Sequence, residues 1–367
     1  MLFLMTKIVI FMHSDLIKIT LNPTNHEHNV NYKSLNVWQK ISPVLYYNEN
    51  WLSEKGGEIK LIDCKEKAIE NFEKNDFFGA CTDYQKHYKV TAEEGSFSII
   101  LHLYCFQKWP MIYVNLELID NGAYSDYIGG YIDLGIPANT EAYRFFHGYG
   151  DWKEKLVVPK NPTNNLGMGF FQPRQNAWQE PCFLNEPPNN ENLPISYLMG
   201  KLSNGHCFGV VPTNRFGQQS LIRSCELLDF PLGLKIVSGN FLPRQKYDHL
   251  AGAMILFGED PIQVSEEILT AYMHLVNRPY GLREFKEYPE MFEYLGFCTW
   301  NTFYAAVDIQ GIRDLAQENF TKNCGSDRFK YLIIDDGWQS VNGCDLTPIP
   351  TVKNQQIPRG LDRKSVV

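Results

Sequence analysis

The sequence predicts a multidomain protein of β plus α/β class, a large antiparallel β-sandwich followed by the first two strands of a truncated (β/α)8 barrel. Before residue 285, short strands with alternating polarity recur between turn signals such as Asn121-Gly122. Near the C-terminus, a short apolar run ends in Asp335-Asp336, as at the carboxyl end of a buried parallel strand. We therefore expect a β-sandwich domain over residues 1–285 that ends in a helix and linker, the start of the barrel at 290–345 and an irregular tail at 346–367.

Several strands of the predicted sandwich have clear period-two patterns. Residues 96–103 and 111–118 lie on either side of Trp109-Pro110, which favours a hairpin. In the second strand one face is apolar, with Ile112, Val114, Leu116 and Leu118, and the other carries Tyr113, Asn115 and Glu117. Further strands are predicted at 195–202, 206–211 and 233–238, and Ser203-Asn204-Gly205 predicts a tight turn between the first two.

The best helix of the chain closes this region. It is predicted from Asp260 to Leu275, with Asp260 as the N-cap and Pro261 at the first helical position. An apolar stripe at helical spacing consists of Val264, Ile268, Ala271, Tyr272 and Leu275. The charged stretch 283–290 then predicts the linker between the domains.

A strand–helix–strand unit is predicted after the linker. Residues 295–300 form the first strand, Asp308 caps a helix with apolar residues on one face, and residues 329–334 form the second strand. A right-handed crossover is expected for such a unit. Because a complete barrel takes roughly 250 residues and only about 75 follow the linker, we expect the chain to be a fragment. An altered protein that needs a partner chain is the alternative.

Composition excludes several function classes. The net charge of −8 and the lack of a Lys/Arg-rich run argue against nucleic acid as a partner. No apolar stretch reaches the roughly 20 residues that a membrane helix needs, so no membrane partner is expected. Nine cysteines, an odd number without metal-binding spacing, predict free thiols in a reducing compartment, hence a cytoplasmic protein with no metal and no cofactor.

The two adjacent carboxylates admit two interpretations. The first is structural: a strand that ends in an Asp-Gly turn, with Trp338 in the core. The second is functional. Two carboxylates at a strand end can accept hydrogen bonds from several hydroxyls, and an indole can stack on the apolar face of a sugar ring.

Two segments resemble one family. Gly296, Cys298, Thr299, Trp300, Phe303 and Tyr304 match a first barrel strand that typically has the sequence Gly-Trp-Cys-Thr-Trp-Asp-x-Phe-Tyr. Residues 333–340, Ile-Ile-Asp-Asp-Gly-Trp-Gln-Ser, match the second without a break. Both resemble the raffinose synthase and seed imbibition protein group of glycoside hydrolase family 36. The pattern at 202–212 is similar to that family's sandwich domain.

The resemblance implies a retaining mechanism on α-galactosides, with raffinose-family oligosaccharides, galactinol or melibiose-like sugars as partners. Water as the acceptor makes the enzyme an α-galactosidase, and a sugar hydroxyl makes it a raffinose synthase-like galactosyltransferase. In this family both catalytic aspartates lie on later strands, so no catalytic residue is expected in this chain and the chain alone is expected to be inactive.

The resemblance also assigns substrate contacts. Asp335 and Asp336 would bind galactose hydroxyls, while Trp338 and Trp300 would form apolar walls around the ring. Asn301 stands where the family usually has an aspartate, which removes a charge from the site. Cys298 is interpreted as a small core residue rather than a functional thiol. A non-catalytic carbohydrate-binding or assembly protein, and a degenerate product without function, are the alternatives.

Overall fold

The computed structural model describes residues 16–21, 28–38, 41–47, 50–92, 95–119, 128–148, 179–184, 190–213, 220–227, 230–238, 249–303, 307–318, 329–335, 341–342 and 347–348. The chain divides into two compact units, Met1–Leu282 and Arg283–Val367. The first unit is rich in antiparallel strands and the second contains a parallel pair.

The first half of the first unit consists of eleven described strands in chain order. They are β1 Ile17–Leu21, β2 His28–Tyr32, β3 Leu35–Trp38, β4 Ser42–Tyr47, β5 Asn50–Ser53, β6 Ile59–Ile69, β7 Cys81–Ala92, β8 Gly95–Phe106, β9 Met111–Ile119, β10 Ile128–Gly135 and β11 Thr140–Gly148. Six strands and a helix follow. They are β12 Gln179–Leu184, β13 Asn190–Leu202, β14 Cys207–Pro212, β15 Ser220–Leu227, β16 Phe230–Ser238, β17 His249–Gly258 and α1 Pro261–Leu275.

Most of these strands belong to one antiparallel sheet. Its hydrogen-bonded order is β5-β4-β10-β16-β15-β13-β14-β17-β9-β8-β7-β6, and β11 pairs with β13 while β12 pairs with β11. Strands β1, β2 and β3 form a separate three-stranded sheet. The predicted hairpin across Trp109-Pro110 is confirmed, since β8 and β9 pair antiparallel. The turn between β13 and β14 is also confirmed, with Gly205 at a φ of 87°, a conformation that favours glycine.

The main apolar core lies between strands that face each other across the first unit. A side chain at Gly130 on β10 would meet Leu250 on β17 and Leu116 on β9, which shows how closely these strands approach. The core includes Trp38, whose ring packs edge-on against Phe208. Ile112, Val114, Leu116 and Leu118 all point into this core, as their alternation predicted.

Helix α1 covers a second apolar cluster. Asp260 caps it as predicted, with Oδ1 accepting from the backbone amides of Ile262 at 2.8 Å and Gln263 at 2.9 Å. The buried face of the helix carries Val264, Ile268, Ala271 and Leu275. These residues pack with Phe106 and Met254 of the sheet and with Phe72 and Phe78 of the segment between β6 and β7. The predicted amphipathic helix is therefore confirmed.

The second unit begins with short 3-10 turns and continues as a strand–helix–strand unit. Its described elements are β18 Leu295–Cys298, α2 Trp300–Phe303, α3 Ile309–Ala316, β19 Phe329–Ile333, β20 Val341–Asn342 and β21 Thr347–Pro348. Strands β18 and β19 pair in parallel, with Cys298 opposite Ile333. Asp308 caps α3 through the amide of Gly311, and Ile312 is buried as the pattern predicted.

Two local expectations are wrong. The first strand was predicted to reach Trp300, but β18 ends at Cys298 and Trp300 begins a short helix. The second strand was predicted to be buried on both faces, but Ile333 and Ile334 are 46% and 45% exposed. A two-stranded sheet has few neighbours to cover its faces, so an apolar run that suits a buried strand stays accessible within the described residues.

Candidate functional site

The carboxyl ends of β18 and β19 lie side by side because the two strands run in parallel. Residue Thr299 follows β18 and has no exposed surface. Its backbone amide donates to the carbonyl of Ile333 at 3.0 Å, and its Oγ1 accepts from the amide of Asp335 at 3.0 Å. These two hydrogen bonds to Thr299 hold the backbone on both sides of Ile334 and so fix the segment that leads from β19 to Asp335.

The Asp335 carboxylate is exposed at this edge. Its Oδ2 accepts a hydrogen bond from the Cys298 thiol, with a distance of 3.2 Å between the sulfur and the oxygen. Cys298 was interpreted as a packing residue, but it is half-buried and its thiol contacts the predicted sugar-binding acid. An accessible carboxylate at the carboxyl end of parallel strands is able to accept hydrogen bonds from a ligand.

The other predicted substrate contacts are placed only in part. Trp300 and Asn301 lie in α2, directly after Thr299, rather than at the end of a strand. This turn starts because the Thr299 carbonyl accepts from the amides of Thr302 at 3.1 Å and Phe303 at 2.9 Å. Trp300 is half-buried. Asp336 and Trp338 fall outside the described residues, so their predicted roles stay predictions.

A second cluster of ionisable residues lies in the first unit, on β7, β8 and β9. His102 is buried between two carboxylates. Its Nδ1 lies 3.1 and 3.0 Å from the two carboxylate oxygens of Asp83, and its Nε2 lies 2.8 Å from Oε2 of Glu117. His87 and Gln85 extend the cluster along β7 through a 2.9 Å contact.

The charge state of this cluster follows from its contacts. Burial alone lowers the pKa of His102, but the hydrogen bonds that the ring donates to Asp83 and Glu117 outweigh burial and raise the pKa to about 9. The imidazolium therefore donates from both ring nitrogens at neutral pH. The hydrogen bond from His102 lowers the pKa of Glu117 in return. Sequence inspection missed this cluster, although the polar alternation along β9, with Asn115 and Glu117 on one face, was its visible signal.

Metal binding, membrane-spanning helices and free thiols are the remaining features that bear on function. Among the described residues, no group of three or more His, Cys, Asp or Glu side chains is arranged to hold a metal ion. None of the described helices combines the length and apolar character required to cross a bilayer. Five cysteines of the described ranges, Cys64, Cys81, Cys105, Cys207 and Cys298, are free thiols, and burial raises the pKa of Cys81 and Cys105 to about 12.

Comparison with known families bears on the second unit and the segment before it. Residues 242–354 match the family described as raffinose synthase or seed imbibition protein Sip1. That range contains α1, the parallel pair and the Asp335 edge. This segment is therefore similar to the raffinose synthase and seed imbibition protein group, which confirms the resemblance seen in the sequence motifs.

Individual relatives point the same way. The chain is 36% identical over 106 residues to the probable galactinol–sucrose galactosyltransferase 1 of Arabidopsis thaliana, a match that covers 28% of this chain and 13% of that protein. It is 34% identical over 102 residues to stachyose synthase of Pisum sativum, covering 28% of this chain and 12% of that protein. The matched segment thus spans only a small part of these relatives.

Solved structures with some likeness are glycoside hydrolases. The α-N-acetylgalactosaminidase NagBb of Bifidobacterium bifidum aligns with a TM-score of 0.48 and 10% identity, over 91% of this chain and 52% of that chain. The family 36 α-galactosidase AgaA of Geobacillus stearothermophilus aligns with a TM-score of 0.39 and 10% identity, over 90% and 42%.

Proposed function

We propose that this chain carries the galactose-recognition edge of a retaining, α-galactoside-active enzyme of the galactosyltransferase type. The observation that carries the proposal is the exposed Asp335 carboxylate at the carboxyl end of the parallel pair, inside the segment that matches the family. The names of the two plant relatives, a galactinol–sucrose galactosyltransferase and a stachyose synthase, favour transfer between sugars over hydrolysis. The donor class is an α-galactoside such as galactinol, and the acceptor is a sugar hydroxyl.

The proposed division of labour assigns binding, not bond cleavage, to Asp335. A carboxylate accepts hydrogen bonds from neighbouring hydroxyls of a pyranose, and such charge-assisted bonds are among the strongest that a neutral sugar can donate. Asp336 shares this role in the proposal, and Trp300 and Trp338 form apolar walls for the ring. Asn301 keeps an acceptor but lacks the charge of the aspartate usual in the family.

The proposal also covers the architecture and setting of the protein. Residues 1–285 form a β-sandwich domain, and residues 290–345 form the start of a (β/α)8 barrel. The large antiparallel sheet, with strands facing each other across a core, supports the first part. The parallel pair with a capped helix between its strands supports the second. The free thiols of the described cysteines support a cytoplasmic location.

Titration of the 367-residue chain with galactose tests the recognition role, with ligand-observed NMR as the readout. We expect galactose to bind and its C4 epimer glucose to bind more weakly. Asp335→Asn removes the charge and preserves the shape, and should weaken galactose binding by about tenfold or more. Asp314→Asn, an exposed acid on α3, is the matched control and should leave binding within about twofold.

The outcomes separate the candidate functions. Equal binding by the wild type and Asp335→Asn would remove Asp335 from the site, and no galactose binding by the wild type would contradict the proposal. Transfer of galactose from galactinol to sucrose, measured on the same samples, reports the enzymatic activity. Because the proposal assigns sugar binding and not bond cleavage to this chain, binding without transfer and without cleavage of p-nitrophenyl α-galactoside is the expected result, which a non-catalytic carbohydrate-binding protein would share. Turnover that Asp335→Asn abolishes would contradict the proposed division of roles.

A further inference from the structure

We propose that Thr299 and Cys298 are positioning residues that fix the Asp335 carboxylate for sugar recognition. This inference rests on the proposed function and extends it to two residues that do not themselves need to touch the sugar. It is carried by three hydrogen bonds that join the end of β18 to the end of β19.

The first step concerns the backbone. Thr299 donates its amide to the Ile333 carbonyl and accepts the Asp335 amide on Oγ1, both at 3.0 Å. The first contact involves backbone atoms only, so any residue could make it. The second needs a side-chain hydroxyl at this position. Because Thr299 is fully buried, these bonds do not compete with water, and the strand end is held in one conformation.

The second step concerns the carboxylate. Cys298 donates its thiol to Oδ2 of Asp335 at 3.2 Å, so the side chain as well as the backbone of this acid is contacted from β18. A thiol is a weak donor, and one such bond orients a carboxylate more than it stabilises the fold. Serine in place of cysteine would keep a donor at nearly the same position, whereas alanine would remove it.

The third step concerns the helix that follows. The carbonyl of Thr299 accepts from the amides of Thr302 and Phe303 and thereby starts α2, which carries Trp300 and Asn301. One buried residue thus joins the Asp335 backbone to the turn that holds two other predicted sugar contacts. A shift at Thr299 would be transmitted to both parts of the proposed site.

Two pairs of variants test this inference by galactose titration of the 367-residue chain. Thr299→Val removes the hydroxyl at constant shape, and Thr299→Ser restores it. Cys298→Ala removes the thiol donor, and Cys298→Ser restores a donor. We expect Thr299→Val and Cys298→Ala each to weaken galactose binding by about threefold to tenfold, the effect of one hydrogen bond. Thr299→Ser and Cys298→Ser should stay within about twofold of the wild type.

A second readout does not depend on the sugar. The amide of Asp335 should exchange with solvent deuterium about tenfold faster in Thr299→Val than in the wild type, since it loses its acceptor, while exchange in Cys298→Ala should change little. Exchange in β7 and β8 of the same samples reports whether the first unit is intact. If Thr299→Val does not fold, the variants Cys298→Ala and Cys298→Ser, at a half-exposed residue, test the inference without it.

A third readout uses the thiol as a reporter. Bound galactose should slow the alkylation of Cys298 by iodoacetamide, which is read by mass spectrometry on the tryptic peptide 287–313, where Cys298 is the single cysteine. Wild-type binding lost in Asp335→Asn but unchanged in Thr299→Val and Cys298→Ala would overturn the positioning role and leave the proposed function standing. Absence of galactose binding by the wild type would overturn both.

Discussion

Each of the two units has an acidic side chain on or just after a strand, but the surroundings of the two carboxylates differ. In the antiparallel sheet, Asp83 is 2% exposed and both its oxygens lie within 3.1 Å of His102 Nδ1. Beside the parallel pair, Asp335 is exposed, comes after the last residue of its strand and accepts a hydrogen bond from the Cys298 thiol at 3.2 Å. The first carboxylate is satisfied inside the protein, while the second is accessible to a ligand.

The difference teaches how strand position separates stability from recognition. A carboxylate in the middle of a sheet must be paired, because an uncompensated buried charge is costly. A carboxylate at the carboxyl end of a parallel strand leaves the sheet and meets solvent, so its hydrogen-bonding capacity can serve a substrate. Replacing Asp83 should therefore affect folding first, and replacing Asp335 should affect binding first.

The largest expected effect contrasts a buried aromatic residue of the first unit with an exposed aromatic residue of the second. Phe208 is fully buried beside Trp38, whereas Phe292 in the second unit is 60% exposed. Phe208→Ala should lower the free energy of unfolding by about 3–5 kcal/mol, through lost burial and a cavity, and Phe292→Ala by less than about 1 kcal/mol. Urea denaturation followed by hydrogen exchange assigns each loss to its unit. Equal losses would show that the exposed aromatic residue is covered in solution.

An intermediate effect concerns the pH dependence of the first unit. Because the pKa of His102 is raised to about 9 in the folded state, its stabilising contribution is complete below the unfolded value near 6.5 and is lost as the pH rises through 9. The free energy of unfolding should fall by about 3 kcal/mol over this window.

His102→Gln is the control for that titration, since it keeps polar atoms at the site without a titrating ring. Its stability should be lower at pH 6 and flatter between pH 6.5 and 9.5 than that of the wild type. At low pH a different group matters: the lowered pKa of Glu117 predicts a loss of stability as the pH falls through its folded value. If the stability of the wild type varied with pH in parallel with that of His102→Gln, His102 would not be an imidazolium held by the two carboxylates.

The smallest expected effect compares the two helix caps. Asp260 accepts from two amides of the 15-residue α1, and Asp308 accepts from one amide of the eight-residue α3. Asp260→Ala should cost about 1 kcal/mol and Asp308→Ala about 0.5 kcal/mol. Exchange of the first-turn amides in each helix measures both losses. A larger loss at Asp308 would indicate that α3 contributes more to its unit than its length suggests.

Features that depend on neighbouring residues were predicted from the sequence, and features that depend on contacts between distant residues were missed. The caps at Asp260 and Asp308, the hairpin across Trp109-Pro110 and the turn at Gly205 depend on neighbouring residues, and all were predicted. The early end of β18 was missed, because it depends on the Thr299 carbonyl starting a helical turn at Trp300. The exposure of Ile333 was missed, because burial depends on what covers a strand rather than on the strand itself.

The sequence by itself determined the similarity of residues 242–354 to a known family, the antiparallel character of the first unit and the strand that leads to Asp335, because motifs, alternation and caps are local properties of a chain. Only the tertiary structure decided that Cys298 contacts that acid, that Thr299 holds its backbone and that His102 lies between two carboxylates. Those contacts join residues from different strands, and strand pairing, not sequence proximity, sets their distances.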